Sequence, residues 1–192
     1  MILRSFIAIE MPTSVQDAID RSTTVLKKEL GKPLVRWVPP HNVHLTLKFL
    51  GDVSQSNLEL LAQALKVEAR EHTVFSLSVG GLGAFPNPRR ARVIWIGIEA
   101  PEALQALQHA IEAVSARLGY TPENRPFSPH LTIGRVNQNA SAGELQHLRS
   151  ALEATHIGAL GAATVDAVHI FKSDLLPSGA VYTHINTAPF GK

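Results

Sequence analysis

Between residues 3 and 10 apolar side chains alternate in facing, Phe6 and Ala8 against Ile7 and Ile9, and this period of two predicts an opening strand. The period then lengthens. Val15, Ile19, Leu26 and Leu30 form one stripe of a helix capped by Thr13 or Ser14 and ended near Gly31 and Pro33. A connecting loop carries Arg36 and Trp37 to a strand at 43–50, which Gly51-Asp52 closes. Leu58, Leu61, Leu65 and Ala69 mark a second helix over about 55–71. A strand from Phe75 to about Val79 follows, then a glycine-rich turn through Gly80, Gly81 and Gly83 to Pro86-Asn87-Pro88.

Beyond Pro88 the order repeats. Val93 to Ile98 reads as a strand, and Pro101-Glu102 opens a helix striped by Leu104, Leu107, Ile111, Val114 and Leu118 that stops at Gly119. A strand at 129–136 comes next, then a helix at about 141–154 with Leu145, Leu148 and Leu152 on one face. Val165–Phe171 and Val181–Thr187 read as closing strands, joined by a turn around Pro177-Ser178-Gly179. Each half, 1–87 and 88–192, thus runs strand, helix, strand, helix, strand, the pattern of an internal duplication within a single domain. The expected architecture is α+β: two mainly antiparallel sheets with outer helices, related by a pseudo-two-fold axis about a central cleft.

Composition narrows the function classes. At 192 residues with 45% hydrophobic content, the chain can bury a substantial core. Lys and Arg number 18 against 16 Asp and Glu, so the charge of +2 argues against wrapping long duplex nucleic acid and leaves room for a local basic cleft. The run Arg89-Arg90-Ala91-Arg92 is open to two readings, a solvated edge or the lining of a phosphate site. The absence of cysteine removes disulfides, thiolate catalysis and the common structural zinc sites. The opening apolar run is interrupted by Arg4 and closed by Glu10, too short for a signal-peptide core, and no stretch approaches the ~20 apolar residues that cross a bilayer. A cytoplasmic protein without membrane contact is expected.

One pattern occurs twice: His44-Leu45-Thr46-Leu47 and His130-Leu131-Thr132-Ile133. On a strand, His and Thr share one face while the apolar pair packs on the other. Imidazole titrates near neutrality, so two of them in one cleft can hold opposite protonation states, one taking a proton from water and one giving a proton to a leaving oxygen. Placed across a substrate, they suit in-line displacement at phosphorus, with each Thr hydroxyl donating to a phosphate oxygen. The competing use, metal binding, wants a third protein ligand that the motifs do not provide. Strict alternation puts Arg135 on the face opposite His130, so any role for it at the phosphate requires a twist or bulge near Gly134.

These residues carry a resemblance. Arg4-Ser5-Phe6-Ile7-Ala8-Ile9, His44–Gly51, Val93-Ile94-Trp95-Ile96-Gly97 and Arg125–Arg135 resemble the 2H phosphoesterase superfamily. Within it they are most similar to the RNA 2′,3′-cyclic phosphodiesterases once described as bacterial and archaeal 2′-5′ RNA ligases. The resemblance implies a bilobal fold and metal-independent opening of a terminal 2′,3′-cyclic phosphate to a 2′-phosphomonoester. It implies His44 as proton donor, His130 as proton acceptor, Thr46 and Thr132 as phosphate-binding hydroxyls, and Arg135 as a charge partner. No cofactor is implied, and the partner is an RNA end, whether a tRNA fragment or a small cyclic nucleotide. Ligation through a 2′-5′ bond uses the same cleft with a 5′-hydroxyl in place of water, and a non-catalytic RNA-end-binding module is the alternative from another class. A monomer is expected, because the two halves supply each other's missing active-site wall.

Overall fold

The computed structural model describes residues 2–176 and 179–191. In chain order the elements are β1 (Ile2–Glu10), α1 (Thr13–Leu34), β2 (Val35–Trp37), β3 (His44–Ser54), α2 (Gln55–Ala69), β4 (Phe75–Phe85), β5 (Val93–Glu99), α3 (Glu102–Arg117), β6 (His130–Val136), α4 (Ala142–Ala154), β7 (Ala159–Val165), β8 (Ala167–Leu176) and β9 (Gly179–Pro189). Among the described residues nine strands form one antiparallel, strongly curled sheet in the order β7-β4-β5-β6-β3-β1-β8-β9, with β2 added to β6. The α+β architecture expected from the sequence is borne out. The two expected sheets meet at a single pair, Leu45 opposite Leu131 on β3 and β6.

Read outward from that pair, the lobes mirror one another: β3, β1, β8, β9 on one side and β6, β5, β4, β7 on the other. Strands cross between the lobes: β4 of the first sequence half pairs with β5, and β8 and β9 of the second half extend the sheet from β1. Helices α2 and α3 pack together against β3 and β9, while α1 and α4 pack together beside β2 and β7. The main core lies under these helices and includes Ile7, Ile9, Leu45, Ile94, Ile96 and Leu131. Phe6 and Ala8 alternate with Ile7 and Ile9, so they face the other way and join Phe171 and Tyr182 in a second, smaller cluster.

Several expected boundaries move. Thr13 is the first helical residue, and Pro12 precedes it without a side-chain cap, its fixed φ already suited to a helix start. Regular helix ends at Gly31, as expected. Arg36 and Trp37 lie in strand β2 rather than a loop, because β3 begins only at His44 and the edge of β6 beyond Leu131, which the chain before His44 leaves open, is taken by β2. The first motif strand runs through Gly51-Asp52 to Ser54. The glycine-rich segment is not a turn: β4 continues to Phe85, and a Cβ on Gly83 would meet the Trp95 indole. Glycine is needed there for the close approach of a large side chain from β5. Strand β7 has no counterpart in the sequence pattern, since Gly158, Ala159, Gly161, Ala162 and Ala163 supply little alternation of apolar bulk. The expected turn at Pro177-Ser178 falls outside the described residues.

Candidate active site

Both motif strands leave regular pairing at the same place. On β3, Ala8 pairs with Thr46 and Ile7 with Lys48, so Leu47 is the extra residue of a bulge. On β6, Trp95 pairs with Thr132 and Ile94 with Gly134, so Ile133 is the extra residue. Each bulge exchanges the two faces beyond it. Lys48 turns inward, where its Nζ donates to Glu112 Oε2 and the Thr121 carbonyl, each at 2.7 Å. Gly134 likewise turns inward: a Cβ there would lie 2.8 Å from Val35 Cγ1 and 3.0 Å from the Trp37 ring. Arg135 is thereby delivered to the face that carries His130 and Thr132. The bulge near Gly134 that a role for Arg135 at the phosphate requires is present.

Antiparallel pairing at Leu45 and Leu131 sets His44 on the Thr132 side and Thr46 on the His130 side, a local two-fold arrangement. Leu45, Leu47, Leu131 and Ile133 are buried beneath, and the two histidines and two threonines are half-buried above. The imidazoles are held identically. Nδ1 of His44 lies 2.7 Å from the Asn42 carbonyl, and Nδ1 of His130 lies 2.7 Å from the Ser128 carbonyl. A carbonyl only accepts, so each Nδ1 carries a proton and donates it, which leaves Nε2 as the nitrogen available for chemistry.

Their surroundings differ. His44 stacks on Phe6 at 4.7 Å between centroids and meets the edge of Tyr182 at 5.0 Å. Burial lowers its pKa below the ordinary 6.5; the Asn42 hydrogen bond opposes this, and the charges of Arg135 and His130 reinforce it. Among the described residues His130 has one aromatic neighbour, Phe85, edge-on at 4.8 Å. A pocket of about 410 Å³ opens beside His44, walled by Glu10, His41, Asn42, Tyr182 and His184. Beyond it His184, His169 and Thr187 form a hydrogen-bonded cluster, with His169 Nδ1 3.1 Å from His184 Nε2 and 3.2 Å from the Thr187 hydroxyl. No group of three or more side chains placed to hold a metal ion occurs among the described residues.

A family model described as the 2′-5′ RNA ligase superfamily matches residues 11–175. The chain belongs to this superfamily. A protein of Methanothermobacter thermautotrophicus named RNA 2′,3′-cyclic phosphodiesterase is 34% identical over 95% of the chain and 96% of its own length. An Escherichia coli protein of the same name is 34% identical over 69% of the chain and 71% of its own length. Among solved structures, E. coli LigT complexed with 3′-AMP is 25% identical, covers all of both chains and superposes with a TM-score of 0.78. TT0787 of Thermus thermophilus is 27% identical over 97% of each chain, with a TM-score of 0.79.

In this superfamily member the fold brings His44, Thr46, His130, Thr132 and Arg135 to one face of the paired motif strands. Sequence reasoning missed the aromatic wall of Phe171, Tyr182 and Phe85 and the neighbouring Arg36. Phe85 is concealed in the sequence because Gly80, Gly81 and Gly83 interrupt the alternation of its strand after Val79. The two carbonyls that orient the imidazoles had a findable signal: both lie two residues before their histidine, in segments that contain proline.

Proposed function

We propose that this chain opens a terminal RNA 2′,3′-cyclic phosphate to a 2′-phosphomonoester, with His130 as base and His44 as acid. The observation that carries the reading is the matched pair of imidazoles, each fixed through Nδ1 to a backbone carbonyl two residues earlier. His130 Nε2 removes a proton from water as the oxygen attacks phosphorus. His44 gives its Nε2 proton to the departing 3′ oxygen as that P–O bond breaks. Thr46 and Thr132 donate hydrogen bonds to the non-bridging oxygens, and Arg135 offsets the charge that builds there.

The lowered pKa of His44 constrains the order of events. In the free cleft burial favours the neutral ring. A bound phosphate anion supplies the opposite charge that favours the imidazolium, so His44 becomes a competent acid when substrate is present.

The test uses a short RNA ending in a 2′,3′-cyclic phosphate, incubated with purified protein in the presence of a chelator. A 2′-phosphate product is expected, with kcat lower by about 10²–10⁴-fold in His44→Ala and in His130→Ala, the usual contribution of general acid–base groups. Near-normal turnover in both variants, or loss of wild-type activity on chelation, overturns the mechanism.

A further inference from the structure

The arginines singled out in the sequence are only partly accounted for by the phosphate site. A groove of about 460 Å³ continues from Arg135 and is lined by Lys32, Arg36, Arg92, Arg135, Asn137 and Gln138 among others. Four cations line it, and no carboxylate does. Its floor is three adjacent strands in register: Arg36 on β2 and Val93 on β5 both stand opposite Arg135 on β6. Arg92 directly precedes Val93. Lys32 sits where α1 ends, and that end is held by Asn137, whose side chain donates to the Pro33 carbonyl at 3.1 Å and whose backbone N–H donates to Leu34. Of the basic run at 89–92, Arg92 faces this groove, while Arg89 and Arg90 lie in the 3-10 turn Pro88–Arg90 and are exposed outside its lining.

Like charges directly opposite on neighbouring strands repel. Here Arg36 and Arg135 are paired in that way, and none of the four cations forms an ion pair among the described residues. Such an arrangement is relieved by an anion that spans several of them. Arg135 joins the groove to the histidines, since it lines the groove and lies on β6 on the face that carries His130 and Thr132.

We infer that this groove holds the phosphodiester backbone of an RNA chain, so that the enzyme acts on oligonucleotides in preference to single cyclic nucleotides. The inference rests on the proposed reading in placing the cyclic phosphate at His44 and His130. Given that placement, the polarity follows from chemistry. A ribose closed at 2′ and 3′ continues only through its 5′ oxygen, so the phosphates reaching Arg36, Arg92 and Lys32 are those 5′ of the terminal nucleoside.

The experiment compares 2′,3′-cyclic AMP with a ten-nucleotide RNA ending in a 2′,3′-cyclic phosphate, at several salt concentrations. The enzymes are wild type, the exposed double variant Lys32→Glu/Arg92→Glu, and Arg92→Lys, with thermal melting as a folding control. In wild type the oligonucleotide is expected to have the lower KM, an advantage that shrinks as salt rises. The double variant raises the oligonucleotide KM by about a hundredfold, about tenfold for each of the two charge-assisted contacts removed. It also lowers the slope of log KM against log salt by about 1.4, at about 0.7 per phosphate contact on a single strand. Turnover of 2′,3′-cyclic AMP changes little, and Arg92→Lys retains most of the oligonucleotide advantage.

Equal losses on both substrates, or an oligonucleotide advantage that survives the double variant, overturn the inference. If wild type turns over neither substrate, the phosphodiesterase reading fails by itself. Fluorescence anisotropy with the same RNA then reads the groove alone: weaker, less salt-dependent binding in the double variant supports it, and unchanged binding overturns it.

Discussion

His44 and His130 have the same backbone restraint and different environments. Phe6 and Tyr182 bury the first, whereas Phe85 touches the second from one side. The functional consequence is a separation of pH limbs. An acid must be protonated to act, and in the free enzyme burial keeps the His44 pKa below 6.5. The alkaline limb of kcat/KM, which reports free enzyme, is therefore expected below 6.5. The limb of kcat, which reports the substrate complex, is expected at higher pH, because the bound anion raises the same group. Steady-state rates measured across pH on an RNA cyclic phosphate check this. Coincident limbs would remove His44 from the acid role.

At the scale of the element, the paired bulges at Leu47 and Ile133 are the devices that build the site. Each turns the next residue into the core and returns the one after it to the cleft, which is how Arg135 arrives beside the motif. The floor under His130 depends on one more contact: Trp95 from β5 lies across Gly83 of β4 and against Phe85, which touches His130. Gly83→Ala puts a methyl group into the indole. The expected result is a destabilisation of about 1–3 kcal/mol, typical of overpacking, together with a lower kcat, because Trp95 and Phe85 must move. Chemical denaturation and single-turnover kinetics on the same variant measure both. A loss of stability with kcat unchanged would show that Phe85 does not position His130.

For the whole molecule, the crossing of β4 and β8 between lobes matters most. Neither lobe can be completed without a strand from the other sequence half, even though among the described residues only the Leu45–Leu131 pair joins their sheets at the centre. Unfolding is therefore expected to be a single transition. The two tryptophans, Trp37 on β2 and Trp95 on β5, both report on the lobe that contains β6. In the other lobe the buried Lys48 is paired with Glu112 of α3 at 2.7 Å. Glu112→Gln leaves that ammonium without its countercharge and is expected to lower stability by about 3 kcal/mol. Tryptophan fluorescence and far-ultraviolet circular dichroism should register the same shifted midpoint. Two separated midpoints would show that the lobes unfold independently.

The residues alone determined the helices, the two motif strands and the chemistry they carry, because a period of 3.6 or of two, and a histidine beside a threonine on one strand face, are local properties. Gly83 shows where local reading stops. A glycine in a run of glycines looks like a turn, and only the Trp95 side chain arriving from another strand reveals why it is straight. The same holds for β2, β7, the aromatic wall at His44 and the cationic groove. Each depends on a partner distant in sequence, whose register and direction are settled by packing and by which strand edge remains open, and these quantities have no signature within the segment itself.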